Sequence, residues 1–66
     1  MRILINGQWQ EHRDGISMAD LLSAMSIDPR RVAVELNKDI LPRAKFLQAQ
    51  LSDGDALEIV TLVGGG

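Results

Sequence analysis

Three consecutive glycines, Gly64-Gly65-Gly66, close the 66-residue sequence, and the carboxylate of Gly66 has the clearest chemical use of any group in it. A glycine stretch carries no Cβ and loses much backbone freedom when ordered, so a strand has no structural reason to finish this way. Such a stretch is thin enough to enter a narrow channel in another protein. An α-carboxyl group is ionised at neutral pH, with a pKa of roughly 3.3–3.7, and is a poor acyl donor because oxide would have to leave. Attack on the α-phosphate of ATP would convert it to an acyl-adenylate. A sulfur nucleophile could then displace AMP, and the product would be a thiocarboxylate at Gly66. The sequence has no cysteine, so it offers no thiol of its own to hold sulfur.

The remaining polar residues form no comparable constellation. A single histidine, His12, and no cysteine exclude a thiolate or structural zinc site. His12 has no nucleophile or second ligand near it in sequence and reads as a surface residue. The acidic residues Asp53 and Asp55 flank Gly54 and suit backbone capping in a turn. Net charge is −2 with scattered basic residues, Arg30-Arg31 being the only adjacent pair. A nucleic-acid binder carries a basic stripe instead. No apolar run approaches the roughly 18 residues that span a bilayer, and Met1-Arg2-Ile3-Leu4-Ile5 turns polar too soon for a signal peptide. The expectations are therefore no nucleic acid, no membrane and a cytoplasmic location.

The elements that must carry the glycine end follow from periodicity. Ile3 and Ile5 alternate with polar or outward positions in a first strand. Asn6-Gly7 supplies the two positive-φ residues of a tight hairpin, and Gln8 to His12 returns as a polar edge strand. Ser17 is a helix N-cap with Asp20 in the capping-box position. Met18, Leu21, Leu22 and Met25 give one apolar helical face, and Asp28-Pro29 forbids continuation. Val32, Val34 and Leu36 define a third strand. Lys38-Asp39 is expected to turn into a short strand at Ile40-Leu41, ended by Pro42. Residues 43–51 form a loop or short helical turn, anchored by Phe46, Leu47 and Leu51. After the Asp53-Gly54-Asp55 turn, a last strand runs from Ala56 to Val63. Leu57 and Ile59 face one side of it; Glu58, Val60 and Leu62 face the other. Trp9 and Phe46, the only aromatic residues, are expected to be packing anchors.

The resulting order, β-β-α-β-β-β, calls for an α+β fold: a mixed sheet with one main helix packed across one face. Residues 1–63 form the domain and 64–66 a flexible glycine tail. With its Gly-Gly end, this order resembles the ubiquitin-like β-grasp proteins. More closely, it is similar to the sulfur-carrier family of thiamine thiazole biosynthesis. The likeness runs the whole length. It is carried by Ile3-Leu4-Ile5-Asn6-Gly7, by Val32-Ala33-Val34-Glu35-Leu36-Asn37 with Ile40-Leu41-Pro42-Arg43, by Asp53-Gly54-Asp55 and by Val63-Gly64-Gly65-Gly66. The resemblance implies that an E1-like adenylyltransferase, using its own ATP and Mg²⁺, activates Gly66. It also implies sulfur supplied through a cysteine desulfurase, and thiazole synthase as acceptor. Two features depart from the simplest pattern: the tail has three glycines rather than two, and no carrier cysteine is available for a covalent link to the activating enzyme.

On this reading the chain is a protein co-substrate rather than an enzyme, with no cofactor of its own. Gly66 is the covalent site, Gly64 and Gly65 supply reach, and Val60 and Leu62 form an exposed docking patch on the last strand. Arg43 is either a plain surface charge or a contact to a partner's carboxylate. The rivals are a small subunit of molybdopterin synthase, a ubiquitin-like modifier joined to lysines, and a β-grasp interaction module without covalent chemistry.

Overall fold

The computed structural model describes residues 1–62. Val63 and the proposed tail Gly64–Gly66 lie outside the described residues, and with them the boundary between domain and tail. Strand β1 (Arg2–Ile5) turns into β2 (Gln8–Glu11). Asn6 and Gly7 both take positive φ, 49° and 82°, as an Asn-Gly hairpin requires. Helix α1 (Met18–Ala24) and a short 3₁₀ turn (Pro29–Arg31) lead to β3 (Val32–Leu36) and β4 (Asp39–Leu41). A second 3₁₀ turn (Arg43–Lys45) precedes the last strand, β5 (Ala56–Thr61).

The five strands lie in the order β2-β1-β5-β3-β4. The polar second strand is at an edge, where exposed backbone groups are best kept among hydrophilic side chains. Strand β5 runs parallel to β1 and antiparallel to β3, so the strand that leads to Gly66 is held at the centre of the sheet. Ile3, Ile5, Val32, Val34 and Leu57 project from the sheet onto Met18, Leu21 and Leu22 of the helix, with Ile16, Phe46 and Leu51 closing the core. Each of these side chains contributes roughly 1.5–3 kcal/mol by leaving water.

Helix α1 is short, and its start is secured from two directions. The side chain of Ser17 accepts from the Asp20 N–H at 3.0 Å. The Met18 and Ala19 N–H groups donate to the carbonyls of Ala49 and Phe46. The capping box is only half formed, because the Asp20 carboxylate pairs with Arg13 at 3.0 Å rather than reaching back. At its other end the Ile27 N–H donates to Leu22 and the Ser26 N–H to Ser23. That is the Schellman arrangement, with Ser26 at φ 59° where glycine is usual.

Several expectations are corrected. The third-to-fourth-strand turn sits at Asn37-Lys38, both with positive φ, rather than at Lys38-Asp39. Leu47 does not anchor the 43–51 segment; it is 81% exposed. Phe46 faces the core from a helical turn, and its immediate neighbour is thereby rotated outward. Trp9 is likewise no core anchor. It pairs with Leu4 across the hairpin on the face opposite Ile3 and Ile5, and the Arg2 guanidinium lies 4.6 Å from its ring centre.

Candidate functional site

The residues that deliver the glycine end are set by the surroundings of β5. At its start, Asp55 accepts from the Ser52 N–H at 2.7 Å and Asp53 from the Arg2 N–H at 2.7 Å. Asp55 thus satisfies a donor of its own turn, as expected from its position beside Gly54, whereas Asp53 reaches across to the first residue of β1 instead. Two asparagines brace the strand along its length. The Asn37 side chain accepts from the Ala56 N–H at 2.9 Å, and the Asn6 side chain bonds both backbone groups of Ile59. At the far end the Leu62 N–H donates to the Arg31 carbonyl at 2.7 Å.

The outer face of the sheet, away from α1, carries the proposed docking residues. Val60 is 56% and Leu62 48% exposed, on the side expected from the alternation of β5. The strand register brings further residues beside them that the linear sequence leaves apart. Ala33 stands opposite Val60, and Glu35 stands opposite both Glu58 on one side and Ile40 on the other. Two like charges directly across a strand pair repel, so the Glu35–Glu58 pairing gives this face a negative centre between apolar side chains. Beside it lies an open depression of about 250 Å³ lined by Leu4, Ala56, Glu35, Glu58 and Lys38. The sequence signal for Glu58 was its place on the Val60–Leu62 side; nothing in the sequence set Glu35 across from it.

Arg43 is exposed but engaged within the chain. Its Nε donates to the Pro29 carbonyl at 3.0 Å and its Nη2 to the Arg30 carbonyl at 3.3 Å. Both acceptors belong to the 3₁₀ turn that leads into β3. Asp28 caps that turn: its carboxylate accepts from the Arg30 N–H at 2.9 Å and from the Arg30 guanidinium. The side-chain bond to Arg30, then the backbone bond, hold the Asp28 pKa down at about 2. His12 is half-buried, its Nε2 lying 3.2 Å from the Gln10 side-chain oxygen. Among the described residues, no group of three or more His, Asp or Glu side chains is arranged to hold a metal ion. Among the same residues no helix is long and apolar enough to cross a membrane.

A mixed five-stranded sheet with one helix across a face, its central last strand leading to a glycine end, defines a ubiquitin-like β-grasp protein. The fold is matched by the crystal structure of a thiamine biosynthesis protein, ThiS, from Geobacter metallireducens, which is 33% identical, covers all of both chains and superposes with a TM-score of 0.87. Residues 3–66 match the ThiS family. The sulfur carrier protein ThiS of Bacillus subtilis is 37% identical over 54 residues, which make up 82% of each chain. The chain belongs to the ThiS family, the small sulfur carriers of thiamine biosynthesis. A thiazole synthase of Paramagnetospirillum magneticum is 39% identical over 66 residues; these are the whole of this chain but 20% of that protein.

Proposed function

We propose that this chain is a protein co-substrate whose Gly66 carboxylate is adenylated and converted to a thiocarboxylate that supplies sulfur for thiazole formation. The observation that carries the reading is membership of the ThiS family over residues 3–66, in a chain whose glycine end follows a centrally held strand. A Gly66 carboxylate oxygen attacks the α-phosphorus of ATP, and pyrophosphate leaves. The outer sulfur of a persulfide then adds to the acyl carbon and AMP leaves with the bonding electron pair; a thiol cleaves the resulting acyl disulfide, freeing the thiocarboxylate and becoming part of a disulfide itself. ATP and Mg²⁺ belong to the activating enzyme. The chain contributes a slim acyl group and a surface by which that group is aimed.

Val60 and Leu62 form the apolar part of that surface, and the Glu35–Glu58 pair favours a partner carrying a cation at the matching place. The partners are an E1-like adenylyltransferase, a cysteine desulfurase-derived sulfur source and thiazole synthase as acceptor. The presence of a similar stretch within a thiazole synthase supports the last of these, because a carrier and its acceptor gain from a high local concentration. Pyrophosphate release by the activating enzyme tests the first step. Release that depends on this chain and disappears when Gly66 is deleted supports the reading; equal release from the truncated chain rejects it.

A further inference from the structure

Resting on this carrier reading, we infer that Arg43 is a positioning residue for the reactive end, acting through the Pro29–Arg31 turn on Leu62. The three carbonyls of that turn are used in succession. Those of Pro29 and Arg30 accept from the Arg43 guanidinium, and that of Arg31 accepts from the Leu62 N–H at 2.7 Å. The carbonyl end of a short 3₁₀ turn has no partners of its own within the turn. Here a planar fork of N–H donors on another element supplies them, a geometry that arginine offers and lysine does not. Phe46 lies three residues beyond Arg43 in the same segment and is buried in the core. The guanidinium thereby ties a core-anchored segment to the turn that holds the end of β5.

Leu62 matters because only Val63, Gly64 and Gly65 separate it in sequence from Gly66. Four residues span at most about 14 Å when fully extended. A carboxylate at the end of so short a lead arrives where the preceding anchor aims it. Loss of the Leu62–Arg31 bond removes a backbone tie just beyond β5, four residues before Gly66. Arg43 therefore acts on delivery rather than on docking: its loss lowers the rate at which a bound carrier is activated and leaves capture by the activating enzyme unchanged.

The test compares the wild-type chain with Arg43→Ala and Arg43→Lys in two readouts. One is amide hydrogen exchange at Leu62, with Val34 and Leu57 as core references. The other is the steady-state kinetics of loading by the activating enzyme. In Arg43→Ala, Leu62 should exchange about tenfold faster, the factor expected from one or two lost hydrogen bonds, with the core amides unmoved. kcat should fall several-fold at constant KM, and Arg43→Lys should recover part of both effects. Unchanged exchange at Leu62 overturns the inference, as does faster exchange with normal kcat. A raised KM at normal kcat also overturns it, by assigning Arg43 to the partner interface. Failure of the wild-type chain to be loaded rejects the carrier reading and this inference with it. Loading with Leu62 exchange unmoved rejects this inference alone.

Discussion

The side-chain amide of Asn6 pairs with both backbone groups of Ile59, donating to its carbonyl at 3.1 Å and accepting from its N–H at 2.7 Å. Asn6 turns the first hairpin at φ 49°, so a strand partner is lost there and the side chain replaces it. Asn37 repeats the device at the other hairpin, with φ 51° and an oxygen on the Ala56 N–H. Both tight turns thus brace β5. Asn6→Gly keeps the backbone conformation and removes the two bonds. It should destabilise the chain by about 1–2 kcal/mol, read as a lower urea midpoint at unchanged slope.

Ser26→Gly should act in the opposite direction. Ser26 closes α1 at φ 59°, a conformation that costs a residue with a Cβ roughly 1–2 kcal/mol. Part of the gain is offset by the greater backbone freedom of glycine when unfolded. The net effect is a stabilisation of about 0.5–1 kcal/mol, visible as a higher Tm.

Polar replacement of the outer-face pair, Val60→Ser with Leu62→Ser, should leave the fold intact because both side chains are about half exposed. Affinity for the activating enzyme should fall at least about tenfold, measured by titration calorimetry. Glu58→Lys separates stability from recognition. Placing a cation opposite Glu35 should raise stability by about 0.5 kcal/mol while weakening the same association.

The Asp28 cap makes the Pro29–Arg31 turn sensitive to acid. Its folded pKa is lowered from 3.8 to about 2, so the folded state binds this proton less readily than the unfolded state. The contribution is present above pH 3.8 and is lost as pH falls through about 2. Carbon-detected NMR titration should place the Asp28 midpoint near 2. In Asp28→Asn, stability should decline less steeply across that window.

The helix face, the Asn6-Gly7 turn and the alternation of β5 were legible because each is a local pattern. Leu57 and Ile59 face the core side, and Val60 and Leu62 the outer side, as their spacing required. The turn at Asn37-Lys38 was displaced by one residue because lysine at positive φ carries no sequence signal. The apolar helical pattern does stop at Ser26, but the left-handed backbone of that serine had no sequence signal either. Trp9 and Leu47 misled through their size: apolar bulk predicts burial only when the element turns that position inward. The Glu35–Glu58 pairing depends on register between strands, and the hold of Arg43 on Pro29 and Arg30 depends on tertiary contact. Neither leaves a trace in linear spacing.

Intact-mass spectrometry of the chain, after incubation with its activating enzyme, ATP and a sulfur donor, tests the central claim most directly. The account predicts that one carboxylate oxygen is exchanged for sulfur, that fragmentation places the change at Gly66, and that a chain lacking Gly66 stays unmodified. Sulfur found on any other residue, or unaltered mass in a mixture that loads another ThiS-family carrier, would contradict it.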